Sequence, residues 1–168
     1  VNDGSGQAFA TNVERAGTID FATIVISSDW VASTPNLNSY WLNTYIHEIG
    51  HVLGLSHPGN YNGSVDYLTQ AVFWNDSQQY SMMSYMDEDI TGAHFSGSAA
   101  TPMLFDILAI QLEYGINWTT RAGNTTYGFN SNAGVAAYRF TQADKTSAFT
   151  IWDGGGIDTL NFSGFVTD

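Results

Sequence analysis

His47, Glu48, His51 and His57 fall within the stretch HEIGHVLGLSHP (47–58), which holds three of the chain's 4 histidines. On a helix, residues four apart leave the same face one turn apart, so His47 and His51 can meet one ion. Glu48 is offset from His47 by about 100°. That places its carboxylate beside the ion, where a base can take a proton from metal-bound water. His57, six residues beyond His51, would point away from a continuing helix. Gly54 removes the difficulty, because a residue able to adopt positive φ ends the helix and turns the chain back toward the same ion. Three neutral imidazoles with an open fourth position are the ligand set of a catalytic zinc site, not of a closed structural one. The competing reading is an amphipathic helix with incidental histidines, and it leaves the Gly54 and His57 offsets unexplained.

The elements that must position these residues are legible in part. SYWLNTYIHEIGHVLGL has apolar residues at 42, 45, 46, 49, 52 and 53, the spacing of a helix that stops at Gly54. Residues 1–18 read as loop with a short extended piece, QAFAT, and TIDFATIVIS from Thr18 reads as a strand. The strand around Ile19 to Ser27 has no partner visible in the sequence. A turn-rich link around Pro35 follows. Residues 56–100 read as a long irregular segment of the kind that a function or a bound ion orders. TPMLFDILAIQLEYG reads as a second helix, capped by Thr101, with Pro102 in its first turn and Gly115 past its end. Its expected core face is Phe105, Leu108, Ala109 and Leu112. From Asn117 onward, short alternating pieces separated by Gly, Asn and Asp have an all-β composition, which puts a boundary near residue 117.

Composition limits the function classes. The 168 residues are 43% hydrophobic, enough for a core, and contain no cysteine, so neither disulfides nor thiolate ligands are available. With 16 acidic against 4 basic residues the formal net charge is −12. That balance argues against nucleic acid or an anionic membrane as partner and suits a protein that binds cations or stays soluble by self-repulsion. No apolar run approaches the roughly 20 residues of a membrane helix, and no signal peptide is visible at Val1.

HEIGHVLGLSHP followed by SMMSY (81–85) resembles the metzincin zinc proteases, and most of all their serralysin branch. The related matrixins usually have proline where Tyr85 stands, and the astacins usually have glutamate where Pro58 stands. The resemblance implies that Met83 belongs to a methionine turn beneath the zinc ligands and that Tyr85 approaches the metal. A tyrosine hydroxyl there can be a weak ligand or can donate a hydrogen bond to the oxyanion of a tetrahedral intermediate. Met83 would be a polarizable floor under the imidazoles. Met82 reads as ordinary core and His94 as a surface side chain.

TTRAGNTTYGFNS (119–131) and WDGGGIDTLNFSGF (152–165) resemble the serralysin junction between a protease domain and a calcium-binding parallel β-roll. The resemblance implies one calcium ion held by Arg121, Gly123, Thr125, Asp153 and Gly155, the arginine and glycines through backbone carbonyls. Gly156 and Asp158 would begin a second site. Ile157 stands where the family commonly has Asn, and a single incomplete repeat cannot bury its own core.

The expected fold is therefore α+β. A metzincin-like protease domain over 1–116 (active-site helix, methionine turn, C-terminal helix) leads into the start of a β-roll over 117–168. The resemblance also implies a longer chain at both ends. The expected function is a secreted, extracellular zinc endopeptidase that also carries structural calcium, with protein or peptide substrates. A proteinaceous protease inhibitor and the remaining N-terminal part of its own chain are further expected partners. The rival reading is a calcium-stabilised binding or structural module that retains a metal site without turnover, and intact Glu48 speaks against it. A zinc hydrolase of non-peptide substrates is disfavoured by the methionine turn.

Overall fold

The structure is a computed structural model that describes residues 6–28, 37, 39–141 and 148–166. The link around Pro35 lies outside the described residues. Strands β1 (Ala8–Arg15) and β2 (Thr18–Ile26) form an antiparallel hairpin in which Arg15 pairs with Thr18. Its two-residue turn has positive φ at both positions, 51° at Ala16 and 77° at Gly17, the mirror-image geometry that suits the twist of paired strands. Two expectations are corrected here. The extended piece at QAFAT runs on as strand through residues 12–15, which were expected as loop, and β2 does have a partner. AFATNVER conceals its strand because its inward positions are mostly small or polar, so the alternation carries little apolar signal.

Helix α1 (Tyr40–Val52) forms where expected, and the Ser39 side chain accepts a hydrogen bond from the Leu42 N–H (3.3 Å). Leu53 caps its end and Gly54 follows with φ 93°. The Gly54 N–H then donates to His51 and the Leu55 N–H to Gly50, both at 3.0 Å. α1 packs on both strands of the hairpin. Beyond it the chain is largely irregular, with a short α2 (Tyr67–Gln70) and a 3₁₀ turn (Glu88–Thr91). Yet this stretch buries Tyr61, Asp76, Ser77, Ser81, Met82, Met83, Ser84 and Met86. Its polar groups are satisfied largely by side chains, where a regular element would use a ladder.

Helix α3 (Leu104–Tyr114) ends at Gly115 as expected, but Thr101 does not cap it. Thr101 Oγ1 instead accepts from the Thr150 N–H (2.9 Å), and Asp106 reaches back to the Met103 N–H (2.7 Å) at the helix start. The expected core face is also corrected. Phe105, Leu108 and Leu112 are exposed, whereas Asp106 is the buried residue of the helix. Asp106 accepts from the Ser81 hydroxyl (2.6 Å) and the Met82 N–H (2.8 Å), and these bonds turn the helix by its one acidic anchor and not by its apolar stripe.

In the C-terminal part, β3 (Thr126–Gly128) and β4 (Thr159–Asn161) pair in parallel. Regular strand is scarcer than the composition suggested, since AAYRFT opens in a 3₁₀ turn (Ala136–Tyr138). Tyr127, Ala133, Ala137 and Tyr138 form one buried cluster with Ala100, against which Leu42 of α1 and Phe149 and Ile151 also pack. The result is a mixed α/β arrangement whose C-terminal segment shares a core with α1. Among the described residues no helix is long and apolar enough to cross a membrane.

Candidate metal centre

The three histidines predicted from spacing are brought together. Their ring nitrogens lie within 4.8 Å of one another and are the one group of three or more potential His, Cys, Asp or Glu ligands found among the described residues. His57 Nε2 is 3.1 Å from His51 Nε2 and 3.3 Å from His47 Nε2. Each opposite ring nitrogen meets a backbone carbonyl. His47 Nδ1 lies 2.8 Å from the Met82 oxygen, His51 Nδ1 2.9 Å from Leu55 and His57 Nδ1 2.8 Å from Tyr61.

A carbonyl oxygen only accepts, so each Nδ1 carries the proton and each Nε2 presents a lone pair. The Nε2 contacts are therefore not hydrogen bonds. Nor is a charged ring the answer at His47 or His57. Burial, only partly opposed by the bond to Met82, holds the His47 pKa down to about 4, and burial likewise lowers that of His57. Three lone pairs facing one another at this distance repel unless a cation lies between them. Tetrahedral zinc with bonds of about 2.0–2.1 Å separates neighbouring ligand atoms by about 3.3–3.4 Å. The observed spacing is consistent with a zinc site.

Glu48, one residue after His47, is buried, and its Oε2 has no hydrogen-bond partner. An orphaned buried carboxylate oxygen calls for a missing partner. Burial raises the Glu48 pKa above its ordinary value, with the His51 ring partly opposing the shift. Glu48 and Tyr85 line two adjoining parts of one cleft. The first, about 140 Å³, is bounded by His47, Tyr40 and Gln78, and the second, about 330 Å³, by His51, His57 and Ala8–Ala10 of β1. The Tyr85 ring lies 4.4 Å from the His57 ring and stacks near that of His47 at 5.6 Å. Its hydroxyl donates to Asn62 Oδ1 at 3.4 Å. Burial, then the Glu48 charge, raises the Tyr85 pKa.

Met83 is buried against Gly50 of α1, where a methyl group would overlap its sulfur. Met82 is buried as expected, but its carbonyl also orients His47, a role that no residue type signals. Sequence reasoning missed Gly50, Tyr61, Asp76, Ser84 and Asp106 as well. Only Asp106, an acid in the first turn of an otherwise largely apolar helix, left a visible sign. His94 is exposed.

The residues expected around calcium are also neighbours. Thr125 Oγ1 donates to the Gly123 carbonyl (3.0 Å) and lies 3.4 Å from that of Arg121, while the Thr125 N–H donates to Asp158 (2.8 Å). Asp153 accepts from the Gly155 N–H (2.9 Å) and from the Tyr127 hydroxyl, and these bonds, the tyrosine first, lower its pKa. Gly156 lies so close to the Gly123 carbonyl that a Cβ would come within 2.5 Å of the oxygen.

Comparison with known proteins agrees with this geometry. Residues 116–168 match the family model described as the peptidase M10 serralysin C terminal. The chain is 46% identical over 169 residues to a serralysin of Proteus mirabilis, an alignment covering 99% of this chain and 32% of that protein. It is 47% identical over 135 residues to serralysin B of Dickeya chrysanthemi, covering 78% and 28% of the two. With metalloprotease AprA of Pseudomonas entomophila the identity is 46% over 149 residues, covering 84% and 31%. The chain thus spans about a third of the length of these relatives. Over most of its own length, however, the likeness is continuous and strong, and the chain is a homologue of the serralysin-family metalloproteases.

Proposed function

We propose that this chain carries the catalytic centre of a secreted zinc endopeptidase acting on extracellular proteins. The observation that carries the proposal is the convergence of three histidine Nε2 atoms beside a buried carboxylate oxygen that has no hydrogen-bond partner. His47, His51 and His57 would hold the metal. Bound there, zinc would supply a Lewis acid that acidifies water and polarises a carbonyl.

The chain's own residues do the rest. Glu48, its basicity raised by burial, accepts a proton from the attacking water and returns it to the leaving amine. Tyr85 faces the same cleft, with its hydroxyl able to donate to the carbonyl oxygen as negative charge develops there. Among the described residues β1 pairs only with β2, and Ala8–Ala10 line the cleft. An extended substrate would lie along that edge of β1.

Residues 1–116 would form the metzincin-like domain and 117–168 the start of a calcium-binding β-roll. Arg121, Gly123, Thr125, Asp153 and Gly155 would hold one calcium ion, and Gly156 and Asp158 would begin a second site. Protein substrates and a proteinaceous inhibitor are the partners this reading implies.

The test is cleavage of casein or a peptide library by the full chain, with and without a zinc chelator, in the wild type and in Glu48→Ala. Chelator-sensitive cleavage, lost in Glu48→Ala with zinc still bound, is the expected result. A zinc-loaded wild type that binds protein but cuts nothing would favour the non-catalytic module. For calcium, the melting temperature should rise with added calcium in the wild type and not in Asp153→Ala.

A further inference from the structure

Asp76 is 3% exposed, and its carboxylate has hydroxyl partners only among the described side chains. The ion pair found among the described residues joins Arg15 and Asp20 elsewhere. Asp76 Oδ1 accepts from the Ser84 hydroxyl (2.6 Å) and from the Tyr61 hydroxyl (2.9 Å), which also lies 3.1 Å from Oδ2.

Both partners lead to the metal centre. The Tyr61 carbonyl accepts the His57 Nδ1 proton (2.8 Å), and the Tyr61 ring stacks on His57 with centroids 5.6 Å apart and planes 14° apart. Ser84 Oγ accepts from the Met86 N–H (3.1 Å), so the hydroxyl braces the turn on either side of Tyr85. One carboxylate therefore ties together the two irregular segments that present His57 and Tyr85. Neither segment has a strand or helix to fix it at these positions.

We propose that Asp76 is a positioning residue of the metal centre, which through Tyr61 and Ser84 together fixes the orientation of the His57 ring and the approach of Tyr85 to the ion. The proposal rests on the zinc reading above. Groups that orient a metal ligand from behind typically change metal affinity by about 10–100-fold when lost.

Asp76→Asn in the full chain tests this, because it keeps the shape and removes the charge and one acceptor. Zinc affinity is measured by competition with a chromophoric chelator, and the cobalt(II)-substituted protein by its visible absorption. Circular dichroism of the metal-free form checks the fold. The expected result is a folded protein whose zinc Kd rises about 10–100-fold and whose cobalt bands shift. Tyr61→Phe, which keeps the stacked ring and the carbonyl, should shift both in the same direction by less. If Asp76→Asn does not fold, Tyr61→Phe combined with Ser84→Ala takes its place. A merely structural Asp76 would lower thermal stability but leave the cobalt spectrum of the folded fraction unchanged. That outcome, with wild-type zinc affinity, overturns the proposal alone. A wild type that binds neither zinc nor cobalt overturns the zinc reading and this proposal with it.

Discussion

Gly50 of α1 lies directly against Met83, so that a methyl group at Gly50 would overlap the Met83 sulfur and sit 3.4 Å from its terminal carbon. The helix carrying His47 and His51 and the turn leading to Tyr85 are therefore as close as a glycine permits. Gly50→Ala should cost about 1–3 kcal/mol by overpacking, measured by urea unfolding of the metal-free chain. Met83→Ala alone should cost about 2–5 kcal/mol by opening a cavity. Because the cavity accepts the new methyl, the double variant should lose less than the sum of the two. Additive losses would mean that the two residues are not coupled.

The facing lone pairs of the three histidines predict that zinc stabilises the fold. At free zinc 100-fold above Kd the gain is about 2.7 kcal/mol. For a chain of this size that raises the melting temperature by about 5–10 °C. Thermal scans with zinc and with chelator should show this shift in the wild type and lose it in His57→Ala. An equal shift in His57→Ala would place the ion elsewhere.

These side chains were legible in the sequence because their chemistry is encoded in residue type and spacing. His47 and His51 follow from the helical period, and His57 from Gly54, whose φ of 93° turns the chain as expected. The parts that were not legible depend on backbone groups or on distant partners. The Met82, Leu55 and Tyr61 carbonyls that orient the rings belong to residues of three unrelated types. The β1–β2 hairpin was hidden because Ala16 takes positive φ in a turn where asparagine or aspartate would have announced it. The orientation of α3 is not legible because its apolar stripe points to the wrong inner face. Hydrogen bonds from three donors to one acid decide otherwise, since leaving them unmade inside the protein costs more than exposing Leu108 or Leu112.

Asp106 is accordingly predicted to matter more for stability than any apolar residue of α3. It accepts from Ser81 Oγ, the Met82 N–H and the Met103 N–H, and so joins the helix start to the turn that carries Met83. Asp106→Ala strands these donors and should cost about 2–4 kcal/mol. Leu112→Ala, at a side chain 79% exposed, should cost under about 0.5 kcal/mol. Urea denaturation of both variants in the chain alone checks the ranking. Equal losses would mean that the apolar stripe, and not Asp106, anchors the helix.

His47 predicts how the metal-free chain responds to acid. Its pKa is held down to about 4 in the folded state, chiefly by burial, against about 6.5 when unfolded. Between those values the unfolded chain binds a proton that the folded chain refuses, so stability falls as pH drops. Above about pH 6.5 neither state is protonated at His47 and its contribution is flat. Below about pH 4 both are protonated and the loss is complete. A difference of about 2.5 units corresponds to about 3 kcal/mol across the window. The measurement is urea unfolding of the chelator-treated chain at steps from pH 7 to pH 4, in the wild type and in His47→Gln. The wild type should lose stability more steeply than His47→Gln through this range. Parallel curves would mean that the folded protein accommodates a charged ring at position 47, and the argument for an enforced Nε2 lone pair there would fail.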